Sequence, residues 1–453
     1  MEGTLIYNYS GTSSLVRRDA LEELFLAKYS EIHKNTDAPC FFWGNVGQPF
    51  ILARCLITLS NIVKSSFNPS PFQIALLKDP IVTAGNHRLR FEGFSHCAGV
   101  YARVDVLPEG LEGEFLENGT TNVDFNQPMI TALGSIRPNE KIMLSVGKKE
   151  VGLYKEEDKV IERKVPLPAK WIKGLGTVQV YLSESEKRHT FNKIQTQQLF
   201  RGMPKGVIKS DYYLIVRGNK PIFSPVKSAD AVCIGGLHRL RLLEPLLPYI
   251  DSMQVFSHSN MQSTTWQLYM GPIRFCFSLS RECWRGFSGE GAVLENLISE
   301  VSDEWIDALD KYAYANQSFN PDMLALEENL SFNKTDTITG RLAAMGLLGY
   351  DLDDHEFFYR RLPFKLSRII GLNPRIKNAD KLIENGKVEI LNNNKARTEA
   401  RVEGTGVHHT VIIEEEKERC TCEWFSKYQG KRGPCKHVLA VKKLIKTGET
   451  FSI

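Results

Sequence analysis

Four residues near the end of this chain constrain its fold more than anything else in it: Cys420-x-Cys422, a twelve-residue spacer, then Cys435-x-His437. Val411-Ile412-Ile413 reads as a strand leading into the first pair. Residues two apart on a strand point the same way, so both thiolates reach one ion. Gly433-Pro434 opens a helix that holds Cys435 and His437 in its first turn, with Val438, Val441, Leu444 and Ile445 on its buried side. Three thiolates and one imidazole form a closed tetrahedral set. That favours one structural Zn2+ over a catalytic ion, because no position is left for water. The alternative is three buried thiols and a surface histidine. His408 and His409 are rival ligands by proximity, but they read better as strand residues ahead of the site.

The other six of the nine cysteines are scattered over the chain and read as plain thiols of a reducing compartment. The first residues show no basic and apolar leader, and no apolar run approaches the roughly 18 residues that span a bilayer. The expected setting is cytoplasmic, with no membrane partner. At 453 residues the chain is too long for one ordinary core, and its 42% hydrophobic and 24% charged residues are those of a globular protein.

Charge is unevenly spread. From Arg360 to Lys446 there are 20 Lys/Arg against 10 Asp/Glu, a net of +10; the whole chain carries +4, so the remainder carries −6. Lys427, Lys431, Arg432, Lys436, Lys442 and Lys443 surround the cysteines, with Trp424, Phe425 and Tyr428 among them. Cations interleaved with aromatics suit a phosphate backbone and an unstacked base, which makes DNA a candidate partner. The bland alternative is a solvated basic face over an aromatic core.

Patterning predicts an α+β multidomain chain. Residues 1–85 read as a helical N-terminal region, with helix over Ala20–Ala27 and Ile51–Ile57, an aromatic turn or short strand at Pro39–Gly44, and a break at Pro69 and Pro71. Residues 86–290 read as a strand-rich α+β body. Arg88–Phe94 and Val100–Val104 alternate as strands, Pro128 suits the first turn of a helix, and a hairpin turns around Gly147. Leu240–Leu247 and the strands that follow repeat the helix-then-hairpin order, so the body reads as two similar units, reminiscent of the halves of a sliding-clamp-like domain. Residues 291–375 read as a helical segment, either a winged helix or a plain connector. Residues 380–453 hold the zinc-binding domain.

The ligand spacing, Trp424 after the first pair and the apolar helix after the second resemble the SWIM zinc finger, over about Lys387 to Lys446. That family is associated with binding DNA or proteins. Pro39–Gly44, Arg88–Phe94, Gly99–Asp105 and Gly119–Asn126 are similar to bacterial SWIM proteins encoded beside a MoxR-type AAA ATPase and a von Willebrand A-domain protein. The resemblance implies bacterial origin and those two partners, and it brings no catalytic residues.

The remaining chemistry-bearing groups read as structural. His96-Cys97 with Arg103 and Asp105 invites a nucleophile, but a catalytic cysteine needs a base oriented by a third group in space, and the usual role of a lone cysteine, a small buried thiol, is the reading for Cys97. Asn122, Asp124 and Asn126 mark a strand end and helix cap. Asp351, Asp353, Asp354, His355 and Glu356 form a turn, without the spaced ligands of a calcium loop. No phosphate-cradling glycine loop with lysine is present, so no nucleotide hydrolysis is expected of this chain. The expectation is a non-enzymatic DNA-binding component of an AAA ATPase/von Willebrand A-type system; the alternative is a protein–protein adaptor of the same system.

Overall fold

Strands that alternate apolar and charged residues build the middle of the chain, and a computed structural model shows what covers each of their faces. It describes residues 14–18, 21–25, 40–65 and 80–449, except 156–157, 166, 168, 283–285, 290, 292, 300–302, 361, 363–372, 395, 416 and 431. Pro69 and Pro71 lie outside the described residues.

The N-terminal region is not the helical block expected. Strands β1 (Ser14–Arg18) and β2 (Leu21–Phe25) form an antiparallel hairpin with Arg17 opposite Glu22. Helix was expected over Ala20–Ala27, but a segment that short holds no helix without packing, and strand pairing takes it. The aromatic segment is strand β3 (Cys40–Val46), and helix α1 (Pro49–Lys64) follows it. Strand β4 (Ile81–Gly85) then pairs with β5 (Arg88–Phe94). The expected boundary at residue 85 therefore falls inside a hydrogen-bonded hairpin.

Strands β6 (Val100–Val106), β7 (Leu111–Phe115) and β8 (Gly119–Asn122) lead into α2 (Gln127–Ser135), with Asn126 at its cap and Pro128 in its first turn as expected. The hairpin around Gly147 forms from β9 (Met143–Gly147) and β10 (Glu150–Lys155), extended by β11 (Asp158–Arg163). These strands, β3 and β7 make a five-stranded sheet ordered β11-β10-β9-β3-β7. Next come α3 (Ala169–Ser183), β12 (Ser185–Asn192), α4 (Lys193–Arg201) and a small sheet of β13 (Tyr212–Arg217), β14 (Lys220–Ser224) and β15 (Val232–Ile234). A 3-10 helix (Leu237–Leu246) precedes the meander β16 (Ser252–His258), β17 (Ser263–Met270) and β18 (Ile273–Ser280).

This meander joins the one made by β4, β5 and β6 edge to edge. The resulting eight-stranded sheet is ordered β12-β16-β17-β18-β6-β5-β4-β8, with β6 against β18 at its centre. Helix α1 and the 3-10 helix, which precede the two meanders, pack on each other over one face. That face is apolar: Leu89, Phe91, Ala102, Val104, Phe275, Phe277, Trp266 and Leu268 are all buried. Gly93 lies under α1, and a Cβ there would stand 2.6 Å from a Val63 methyl.

The opposite face is charged and largely buried, with Arg274 and Tyr269 half-buried at its margin. One row across the strands reads Arg90, Asp105, Arg274, Tyr269; the next reads Glu92, Arg103, Cys276, Gln267. What covers it is the segment expected to be helical. Helix α5 (Asp303–Asn316), strand β19 (Ser318–Phe319), helices α6 (Pro321–Glu327) and α7 (Phe332–Ala344), and strands β20 (Leu348–Asp351) and β21 (Glu356–Tyr359) form a unit whose sheet is ordered β19-β21-β20. Its hairpin turn is the acidic cluster, and it clasps the charged face. Asp351 meets Arg88 at 3.2 Å and Arg274 at 3.6 Å, Asp353 meets Arg274 at 3.0 Å, and Asp354 pairs with Arg88. Arg360, just past β21, grips Glu92 through both carboxylate oxygens, and the pair is wholly buried. The Phe358 ring lies among the guanidiniums of Arg90, Arg103 and Arg360, at 4.2, 5.1 and 4.8 Å. Burial would raise the Asp351 carboxyl, but Arg103, Arg90 and Arg274 hold it down at about 2.

Helix α8 (Pro374–Glu384) opens the C-terminal domain, followed by a sheet of β22 (Val388–Asn393), β23 (Arg397–Glu403), β24 (His408–Glu414) and β25 (Glu418–Cys420). Helices α9 (Glu423–Tyr428) and α10 (Lys436–Glu449) complete it, with α8 packed on α10. Among the described residues no helix is long and apolar enough to cross a membrane.

Candidate metal centre

The four predicted ligands converge because three local structures end at one point. Cys420 closes β25, Cys422 caps the N-terminus of α9, and Cys435 and His437 stand at the start of α10. The two first cysteines were expected side by side on one strand; the chain instead turns into α9 between them. All four residues are buried, and their ligand atoms lie within 4.8 Å of one another. A zinc tetrahedron with Zn–S bonds of about 2.3 Å needs only a slight inward closure of such a set.

The surroundings fit a metal. The His437 Nδ1 is 3.7 Å from Cys420 Sγ, while its Nε2 is buried without a hydrogen-bond partner. Nδ1 is thus the nitrogen turned toward the thiols. Backbone N–H groups of Phe425 and Val438 donate to the sulfurs of Cys422 and Cys435, at 3.4 and 3.5 Å, the kind of support that steadies thiolate ligands. The hydrogen bond from Cys420 pulls the Cys435 thiol down to about 4 against its burial, and the same contact with burial pushes Cys420 up. His408 and His409 are strand residues of β24, outside the ligand cluster, with the His409 ring 4.5 Å from that of His437.

Three of the six basic residues around the site have found carboxylates. Arg432 meets Glu282 at 2.7 Å, Lys442 meets Glu295 at 2.8 Å and also Glu418, and Lys443 pairs with Asp380. Lys427 is exposed over the Tyr428 ring, Lys436 is half-buried, and Lys431 lies outside the described residues. Three residues that sequence reasoning missed hold the domain: Arg375 and Glu282 reach the spacer loop, and Glu295 reaches Lys442 on α10. Arg375 stacks on Trp424 at 4.8 Å and donates to the carbonyls of Arg432 and Pro434, while Glu282 and Glu295 come from the body. The loop passes close to the body backbone: a Cβ on Gly433 would lie 2.6 Å from the Gly291 carbonyl oxygen, and its φ is +70°. The opposite net charges of tail and body were the sequence signal for this contact.

Between loop and body runs a cleft of about 1020 Å³. Its polar groups are largely partnered: His258 is hydrogen-bonded to Glu184 at 2.8 Å, Arg281 pairs with Asp211 at 2.7 Å, and Arg432 pairs with Glu282. The other candidates have partners inside the fold. Arg103 and Asp105 pair at 2.9 Å on the charged sheet face, Cys97 is buried with its sulfur against Ser95, and Asn126 bonds Glu162 at the start of α2.

Residues 409–446 match the family model of the SWIM zinc finger. No curated protein matches the chain. Among solved structures it is similar to the proliferating cellular nuclear antigen of Entamoeba histolytica, at 10% identity and a TM-score of 0.36, over 53% of this chain and 98% of that one. The PCNA2–PCNA3 complex of Sulfolobus tokodaii gives 10% identity and a TM-score of 0.40, over 53% and 99%.

Proposed function

We propose that this chain is a non-enzymatic protein-interaction component, in which the zinc finger clamps onto the body rather than reading nucleic acid. The observation behind this reading is that three of the six candidate DNA contacts, Arg432, Lys442 and Lys443, already face carboxylates. Phosphate binding gains its free energy from cations that displace counterions, and a cation committed to an internal partner contributes little. We further read the unit of residues 303–359 as a winged helix by its element order. Its acidic hairpin is docked on the body, so it too is a packing module in this reading. By the resemblance of the chain to bacterial SWIM proteins, we propose a MoxR-type AAA ATPase and a von Willebrand A-domain protein as partners in the cytoplasm.

The test is fluorescence anisotropy of labelled single- and double-stranded DNA with the zinc-loaded protein across a salt series. The expected result is no saturable binding at about 0.15 M salt, where few free cations hold few phosphates. Tight binding that weakens linearly in log salt, and fails when Lys427, Lys431 and Lys436 are changed together to Gln, would restore the DNA-binding reading.

A further inference from the structure

Helix α6 and the first turn of α7 expose three large apolar side chains within ten residues. Met323, Leu326 and Phe332 are 54%, 64% and 50% accessible. Met323 and Leu326 stand three apart on α6 and are neighbours on its outer side, while Leu324 and Ala325 face the core. Single exposed apolar residues are ordinary; a cluster rimmed by charge marks an interaction site.

The rim is acidic. Asp322, Glu327, Glu328 and Asp336 are all exposed. Among the described residues none of the four is in an ion pair, in contrast to the charges of the finger and the hairpin clasp. Burial and then the charge of Asp322 push the Asp336 carboxyl up, which places the two like charges near each other across α6 and α7. Lys334 is the one cation of this stretch, and at two positions from Asp336 its place on α7 is about 200° round the helix from that carboxylate. The hairpin end of the unit is committed to the body through Asp351 and Arg360, and the α6–α7 face is left to solvent.

We propose that this face docks a basic amphipathic helix of a partner protein. Apolar residues of that helix meet Met323, Leu326 and Phe332, and its lysines or arginines meet the four carboxylates. An apolar stripe supplies the affinity, and the opposite charge selects the partner and speeds its approach. The inference rests on the protein-interaction reading and names the chemistry of the partner.

The experiment uses the full-length zinc-loaded protein and a labelled peptide of about 14 residues built from Leu and Lys in helical amphipathic order, four turns long. A peptide of the same composition in scrambled order is the control. Anisotropy should saturate with the amphipathic peptide and show at least about tenfold weaker binding for the scrambled one. Changing Met323, Leu326 and Phe332 together to Ser should weaken binding by about tenfold or more, with an unchanged melting curve, because all three are exposed. Changing Asp322, Glu328 and Asp336 to the amides should weaken binding and flatten its salt dependence. Equal binding of both peptides, or no effect of the apolar triple variant, would overturn the proposal. So would sedimentation velocity showing a dimer that the triple variant abolishes, since the occupant would then be a second copy. A chain that ignores both DNA and peptide loses this inference alone; one that binds DNA through its lysines and also binds the peptide loses only the reading beneath it.

Discussion

The zinc finger and the β20–β21 hairpin dock on the same body, and both use ion pairs, yet water separates the two cases. The finger's pairs are partly wet: Glu282 and Glu295 keep 40% and 47% of their side-chain surface. The hairpin's central pair, Arg360 with Glu92, keeps none. An exposed pair contributes about 0–1 kcal/mol, and salt screens it. A buried pair is different: its net worth is modest, but losing one partner strands a charge in the core. The finger therefore depends on its metal for order and is only steered by its cations. The hairpin depends on its charges for position.

The largest expected effect tests the first half of that contrast. Structural zinc contributes about 10–16 kcal/mol in small fingers, more than the remaining contacts of this domain can replace. Cys435→Ala, or chelation of the native chain, should release the metal and unfold residues 374–449 while the body keeps its own cooperative transition. Trp424 fluorescence and circular dichroism during thermal melting would follow the two parts. A single transition lost as a whole would mean that finger and body fold as one unit.

A smaller effect tests the second half. Arg360→Met should lower the stability of the body by about 3–5 kcal/mol in urea titration, because Glu92 is left buried and unpaired. Its zinc content should stay at one per chain. Adding Glu92→Leu to that variant should recover much of the loss; if it does not, the pair is worth more than the penalty of the stranded charge.

The smallest effect is in pH. The Asp351 carboxyl is held at about 2, below its ordinary 3.8, so it contributes stability that is present above pH 4 and lost as pH falls toward 2. The shift corresponds to about 2 kcal/mol. The stability difference between the native chain and Asp351→Asn should therefore be near that figure at pH 6 and vanish near pH 2. A difference independent of pH would mean that the asparagine disturbs packing rather than charge.

Much of the local architecture was legible in the sequence. Asn126 and Pro128 marked the start of α2, the hairpin expected around Gly147 forms with its turn at the two residues after it, and alternation along Arg88–Phe94 gave a strand with two unlike faces. The misreadings came from segments with a second option. Leu21–Phe25 has helical spacing and becomes a strand because a paired partner lies three residues upstream. The α3 and α4 helices and the small β13–β15 sheet went unread.

By itself the sequence determined the metal centre. Its four ligands lie within eighteen positions, and the preference of soft thiolates and imidazole for zinc is a property of the side chains. Tertiary structure alone decided where the charges go. Asp351, Asp353 and Asp354 were legible as a turn but not as a clasp on Arg88 and Arg274, and the basic tail was legible as a charge excess but not as a set of contacts to Glu282 and Glu295. Turns, caps and ligand spacings are set by residues a few positions apart. Which charge meets which, and whether water remains between them, depends on surfaces that only the folded chain brings together.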